Sequence, residues 1–477
     1  MSSIGSILNI ARSAMQAHQV ALQTVSQNIA NAGVEGYSRQ DVRVAAQVPQ
    51  LFPYGNLGTG VVVQGVTRSR DVLLDTQFRA AAGSASNYGR TTDIATRIEQ
   101  VLGEPSGSGL GNAMDAFWNS WSDLANDPTS TSARGVVRQR GTELAGMFNG
   151  MAAQLDSVNA DTRAGLASDI GRVNEIAKQI ADINPAIVSS ETNNRSANDL
   201  RDTRDRLVDE LSKLTSSQTI EHTDGSIAVY VSGRLLVDDT SYHQLALRGG
   251  SSPVSIVFQG ETDGINQVGG SIGAGVDGIN VRIPAAIQRL DALAGTIVRE
   301  TNAIHSTGTV FTGTPPAAAQ AANFFDQTGA AGSGDVAQTA RGMRLSSTLS
   351  NLAEVAAASG GAGGIGNNAL ATKLAGLRDA TVTVYDTTGA SVATTTIGGY
   401  FRDAVAEAGL DTNQAQSQSA VNETLMNQAD TRRQSVSGVA TDEELVALIK
   451  HQQAYAAAAR LVSVVDEMSK TLIDLGR

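Results

Sequence analysis

The chain has 477 residues, a formal net charge of −12 and no cysteine. That length exceeds one hydrophobic core and calls for roughly three domains. The acidic balance, without any run of clustered Lys and Arg, excludes phosphate-backbone recognition, so no nucleic-acid partner is expected. The missing thiols exclude a Cys nucleophile, a disulfide frame and a Cys-ligated metal.

At the N-terminus Ile4, Leu8, Ala11, Met15, His18, Leu22, Val25 and Ile29 recur at alternating steps of four and three, which places them on one side of an α-helix. Arg12 is the one formally charged residue before Glu35. A solvated helix normally carries charges on its outer face, so this one is expected to be contacted on several sides. Asn31, Gly33 and Gly36 tolerate left-handed backbone; the helix should stop near Ala30, with a positive φ at Gly36, and extended chain should run to about Arg68. From about Asp71 to Leu214 the apolar period is helical, as in Phe117, Trp121 and Leu124, then Leu144, Phe148, Met151, Leu155 and Val158, the stripes of a bundle. Its last helix, around Leu200, Leu207, Leu211 and Leu214, is so rich in Arg, Asp and Glu that it is expected to face water.

At Thr219 the period switches to two, and Asp224-Gly225 and Ser232-Gly233 mark consecutive hairpins. The glycine-rich stretch from Gly269 to Gly278 reads as a linker, and Pro284 as the start of another helix. A Gly, Ala and Thr-rich region with one hairpin across Thr388-Gly389 follows, then helix from about Tyr400 to Val436. The C-terminal helix carries one stripe of Leu445, Leu448, Gln452, Tyr455, Ala459 and Val462, and a second of Leu461, Val465, Met468, Leu472 and Leu475, so at least two packing partners are expected. Thr441 with Glu444 reads as a capping box. At 1.5 Å per residue the two terminal helices would be about 39 and about 50 Å long.

These elements make a multidomain α+β chain with nested order. Residues 1–38 and 438–477 form a terminal-helix, coiled-coil core domain. Residues 39–215, 279–307 and 399–437 form a helical bundle, 216–278 a β-rich insertion, and 308–398 a second β-rich or irregular insertion. Nesting brings the two ends together.

Chemistry is poorly supported. Gly273, Gly275 and Gly278 match a dinucleotide fingerprint, but no strand leads into the first glycine and no parallel βαβ unit surrounds it. His18, His222, His243, His305 and His451 are scattered without metal-ligand spacing. Asp238 and Asp239 have no base in register, and Trp118 and Trp121 beside Phe117 read as core. No catalytic, cofactor or metal residues are assigned. Ser, Asn and Gln interrupt every candidate signal peptide, and no run of about eighteen apolar residues offers membrane insertion.

The stretch from Asn28 to Gln40, with Asn31, Gly36 and Tyr37 in it, resembles the turn of the bacterial flagellar rod, hook and hook-associated axial proteins. Glu443-Glu444, Lys450 to Tyr455 and Asp466 to Met468 resemble the other end of that family. Leu200 to Leu214, the hairpins through Asp239, and Arg433 to Val439 are similar to its hook-associated branch. One departure stands out, since Gly33-Val34 replaces the family's usual Asn-Thr; Gly33 would then supply the turn's backbone freedom.

The resemblance implies a non-enzymatic structural subunit of the hook–filament junction, exported without a cleavable signal and located outside the cell on the flagellum. It implies self-association into a ring or tube through the terminal stripes named above. It further implies contacts with the hook protein, a second junction protein, the export apparatus, and an export chaperone on the C-terminal segment. A flagellin-like or other axial hook or rod subunit is the near alternative, and a nucleotide-dependent enzyme using Gly273–Gly278 the distant one.

Overall fold

A computed structural model describes residues 2–475 except 53–54, 104–108, 193–195, 266, 313–316, 327–338 and 361–363. Helix α1 (Ser2–Asn31) ends in a turn in which Val34 N–H donates to the Asn31 carbonyl and Gly36 sits at φ 81°. Gly33 is not among the positive-φ residues, so Gly36 alone supplies the turn's left-handed step. Extended chain follows as a ribbon, β1 (Gln40–Ala46) antiparallel to β4 (Val61–Arg68), with β2 (Gln50–Phe52) and β3 (Gly55–Leu57) at its tip.

Four helices come next: α2 (Val72–Leu102), α3 (Leu110–Asn126), α4 (Thr131–Ser190) and α5 (Asn198–Thr215). Asp71 caps α2 by accepting from Leu73 and Leu74 N–H, and Ser130 caps α4. Strands β5 (Gln218–Glu221), β6 (Ile227–Val231), β7 (Arg234–Asp238) and β8 (Ser241–Tyr242) form one antiparallel sheet in sequence order. Its three turns lie at Gly225, at Ser232-Gly233 and at Asp239-Thr240, and Gly225, Ser232, Gly233 and Asp239 all take positive φ. A second hairpin joins β9 (Leu245–Gly249) to β10 (Val254–Phe258).

The expected linker at Gly269–Gly278 is instead helix: α6 (Gly270–Asp277) runs through a π-turn at Gly278–Arg282 directly into α7 (Ile283–His305), and Pro284 lies in the first turn of α7 rather than opening a separate helix. The glycines serve close packing. A Cβ on Gly278 would stand 2.6 Å from Ile94 Cδ1, and one on Gly275 would stand 3.4 Å from Leu166 Cδ1. The dinucleotide reading loses its loop, because these glycines lie inside a packed helix.

Next come β11 (Gly308–Thr312), β12 (Ala317–Gln320), α8 (Thr339–Gly342) and β13 (Ala358–Ser359), with β11 central in a three-stranded sheet. After α9 (Ala369–Gly376), the hairpin of β14 (Thr381–Tyr385) and β15 (Ser391–Thr396) turns at Gly389, φ 82°. Helices α10 (Ile397–Ser437) and α11 (Thr441–Leu475) close the chain.

Two hydrophobic clusters share α4 as a spine. One gathers Phe117, Trp118, Trp121 and Phe148 with Phe324, Phe325, Leu370 and Leu374, so the region after β11 packs on the same core as α3 and α7. The tryptophans are core, as their helical spacing suggests. The other cluster joins Leu166, Ile170 and Val173 of α4 to Val208 and Leu211 of α5 and to Val229 and Val237 of the sheet.

A recurring device fastens extended chain to helix. Asn174, Asn184, Asn280 and Asn302 each donate from Nδ2 to the carbonyl of one residue and accept that residue's N–H at Oδ1; the partners are Leu245, Ile227, Val254 and Phe325. Each two-bond ring satisfies backbone groups that would otherwise be unpaired at a strand end or in a loop.

Candidate assembly site where the terminal helices meet the bundle

Helices α1 and α11 lie antiparallel, since His18 meets His451 and Asn28 meets Glu444. Helix α1 is covered by α11 and by the β1–β4 ribbon, which together bury Ala11, Ala17, Ala21 and Val25, and on α11 Glu444, Ala458 and Val465 are buried. Spacings of seven link Glu444, His451, Ala458 and Val465, a coiled-coil repeat read on small or polar residues. Alanine lets the backbones approach closely and leaves the larger apolar side chains outside the seam.

The stripe residues therefore divide. Ala11, Val25 and Val465 are buried in the pair; Ile4, Met15, Leu22, Ile29, Leu448, Tyr455, Ala459 and Val462 are half-buried. Leu8, Leu445, Gln452 and Met468 are exposed, and the side chains of Leu472 and Leu475 lie outside the described residues. Ile7, Val446, Ile449, Leu461 and Val464 are exposed as well, although the stripes passed over all of them except Leu461. Asn31 bonds back to the Gln27 carbonyl, and Gly36 packs over the Arg206 side chain.

At the base of the pair a buried asparagine closes a polar lock. Asn28, 1% exposed, donates from Nδ2 to the Gln40 carbonyl (2.9 Å) and to Glu444 Oε2 (3.0 Å). Its Oδ1 accepts Gln40 N–H (3.0 Å) and Tyr37 O–H (2.9 Å), so Asn28 and Gln40 form a fifth ring of the kind that fastens the β insertions. Glu444 Oε1 accepts from Arg39 Nε at 2.7 Å, and Arg39 N–H donates to the Ser437 carbonyl. With both oxygens so engaged, Glu444 forms no capping box with Thr441; Thr441 is already the first helical residue, and the Glu444 N–H donates to the Ala440 carbonyl. Burial first, then the charges of Asp202, Asp199 and Glu444, push the Tyr37 phenol up to about 12, which keeps it a donor.

The lock continues into α5, which is not water-facing. Ser38 donates from N–H (3.0 Å) and Oγ (2.6 Å) to Asp202, whose Oδ1 also accepts from Arg68 at 2.7 Å. Arg68, Arg70 and Arg79 converge on Asp205, and Asp209 takes Arg79 and Arg433. Burial disfavours the Asp205 charge, but Arg70, Arg68 and Arg79 outweigh it and hold the carboxyl at about 2. Arg433 also lies 3.7 Å from the Phe78 ring centroid, fixing the end of α10 to α2. Arg204 is buried against the Gly225 carbonyl. The α5 carboxylates that look solvated in the sequence, Asp202, Asp205 and Asp209, are paired at this joint with arginines from other elements.

Three segments far apart in sequence, 28–40, 200–214 and 433–444, thus converge on one joint that sets how the terminal helices leave the bundle. Among the described residues no group of three or more His, Asp or Glu is placed to hold a metal, and no helix is long and apolar enough to cross a membrane.

Comparison with known proteins fits this geometry. Residues 95–325 match the family model of the flagellar hook-associated protein FlgK helical domain. Residues 8–37 match that of the flagella basal body rod protein, and 431–475 that of the flagellar basal body rod FlgEFG protein C-terminal region. The chain is 29% identical over 508 aligned residues to flagellar hook-associated protein 1 of Bacillus subtilis, covering 98% of this chain and 97% of that protein. It is 30% identical to the protein of the same name from Salmonella typhimurium, over 51% of this chain and 44% of the relative. The flagellar hook junction protein FlgK from Burkholderia pseudomallei shares the fold, with TM-score 0.61 and 15% identity, covering 76% of this chain and all of that one. The chain belongs to the flagellar hook-associated protein 1 family, whose members are structural proteins of the flagellum rather than enzymes.

Proposed function

We propose that this chain is a structural subunit of the hook–filament junction that self-associates into a ring or tube through the outer faces of α1 and α11. One observation carries the reading: the terminal pair is anchored by a buried polar lock, yet its seam takes mainly small residues and leaves Leu8, Leu445, Val446, Ile449, Leu461 and Val464 at 41–68% exposure. Covering a half-exposed Leu, Ile or Val contributes about 1 kcal/mol, so covering six contributes several kcal/mol per copy. That gain repeats around a closed assembly.

In this reading the hook protein contacts one side of the ring and a second junction protein the other. An export chaperone covers the apolar face of α11 before the chain passes the export apparatus to the outside of the cell, and no catalysis is involved. Deleting the gene should leave cells with hooks that carry no filaments in electron micrographs, restored by the wild-type chain. Normal filaments on the deletion strain would overturn the proposal.

A further inference from the structure

Two imidazoles from opposite ends of the chain meet across the α1–α11 seam, His18 Nδ1 lying 3.2 Å from His451 Nδ1 with ring centroids 5.4 Å apart. At that separation two neutral rings share one N–H···N hydrogen bond, and a pair holding one extra proton keeps it. With both rings protonated, two donors face each other and no acceptor is left.

The surroundings give little compensation. A cavity of about 310 Å³ beside the pair is lined by α1, the β1–β4 ribbon and α11, and its charged groups are Arg39, Asp41 and Glu444. Glu444 is already bound by Arg39 and Asn28. Asp41 is exposed on β1, Lys450 adds a positive charge next to His451 on α11, and Arg12, the charged residue of α1, is exposed. Formal cations and anions near the pair roughly cancel, so they offset little of the repulsion between the rings. Two unit charges 3.2 Å apart disfavour their shared state about tenfold even at the dielectric constant of water.

We propose that His18 and His451 form a proton-operated clasp between the two ends of the chain, closed when at most one ring is protonated and opened when both are. Burial, then the charges of His18 and Lys450, lower the His451 pKa, and Glu444 opposes them. The sign follows: with the folded pKa below the ordinary value near 6.5, the clasp is fully present above that pH and weakens as pH falls below it. Acidification therefore loosens α1 from α11 while the bundle stays folded.

The chain has five histidines, so selective ring labelling gives a resolvable NMR titration. In the full chain, the His451 ring should titrate below its ordinary range, and that shift should depend on the His18 ring. Hydrogen-exchange protection of 14–25 and 445–458 should fall about tenfold between pH 7.5 and 5.0 relative to 166–180 in α4. His18→Gln should move the His451 titration upward and remove that pH-dependent loss; His18→Phe, which fills the space without titrating, should do the same if Gln loosens the seam outright. Lys450→Gln should leave the loss in place. A His451 titration at its ordinary value and unmoved by His18→Gln, or an equal pH-dependent loss in both His18 variants, would overturn the clasp.

Discussion

Asn28→Ala is the most informative single change, because it removes four hydrogen bonds at once from a site 1% exposed. Three are neutral and worth about 1 kcal/mol each, and the bond to the Glu444 carboxylate about 2 kcal/mol. Glu444 and the Gln40 backbone are themselves buried, so their orphaned groups keep the full desolvation penalty. Allowing for non-additivity within one network, the loss should be about 4 kcal/mol. It should fall on the terminal module, since the partners of Asn28, namely Tyr37, Gln40 and Glu444, belong to neither hydrophobic cluster of the bundle. The assay is native-state hydrogen exchange resolved by segment. Protection of 11–31 and 441–458 should drop by about three orders of magnitude, while that of 144–180 in α4 holds. A change under tenfold, or an equal drop in α4, would refute the claim that this asparagine locks the terminal pair to the bundle.

Other outcomes follow from individual residues. Ile449→Asp sits on the outer face of α11 at 53% exposure, so the free chain should melt within about 0.5 kcal/mol of wild type. In an assembly the same carboxylate would be buried unpaired at a cost of several kcal/mol, giving secreted chain but few filaments. Gly36→Val places a β-branched residue at φ 81°, where the added Cβ meets only ordinary contact at 3.5 Å from Arg206; the backbone should lose about 1–2 kcal/mol, read as faster proteolysis at the turn. His305 donates from Nδ1 to the Ala322 carbonyl and accepts the Ala356 N–H at Nε2, so it is neutral, and burial, partly offset by the Ala322 carbonyl, lowers its pKa to about 4. The unfolded chain then binds the extra proton between pH 6.5 and 4, and His305 should withdraw about 3 kcal/mol of stability as pH falls through that window. Urea unfolding of His305→Gln should lack that share of the pH dependence, and an unchanged profile would count against it.

Much of the architecture was legible in residue periodicity. The hairpin turns, the bundle stripes and the aromatic core depend on spacings within a few residues. The terminal stripes were legible only in part. Periodicity finds apolar faces, but not which face has a partner inside the chain, and the buried positions of the terminal pair include Ala17, Ala21, Ala458 and Glu444, which carry little hydrophobic signal. The lock was hidden for another reason. Asn28 and Glu444 lie 416 residues apart, and Ser38 and Asp202 164, and no local pattern marks such pairs. The charges of α5 looked solvated because their partners, Arg68, Arg70 and Arg79, sit on other elements. The alternating Arg and Asp between Arg201 and Asp209 was the one available hint.

In the proposed assembly the outer faces of α1 and α11 are contacts between copies. A cryo-EM map of the intact hook–filament junction, resolved to side chains, would show those contacts. Leu8, Leu445, Ile449, Leu461 and Val464 should be buried against neighbouring copies, with the Asn28–Glu444 lock intact within each chain. A map in which those side chains face solvent or an open lumen, with copies touching only through the bundle, would contradict it.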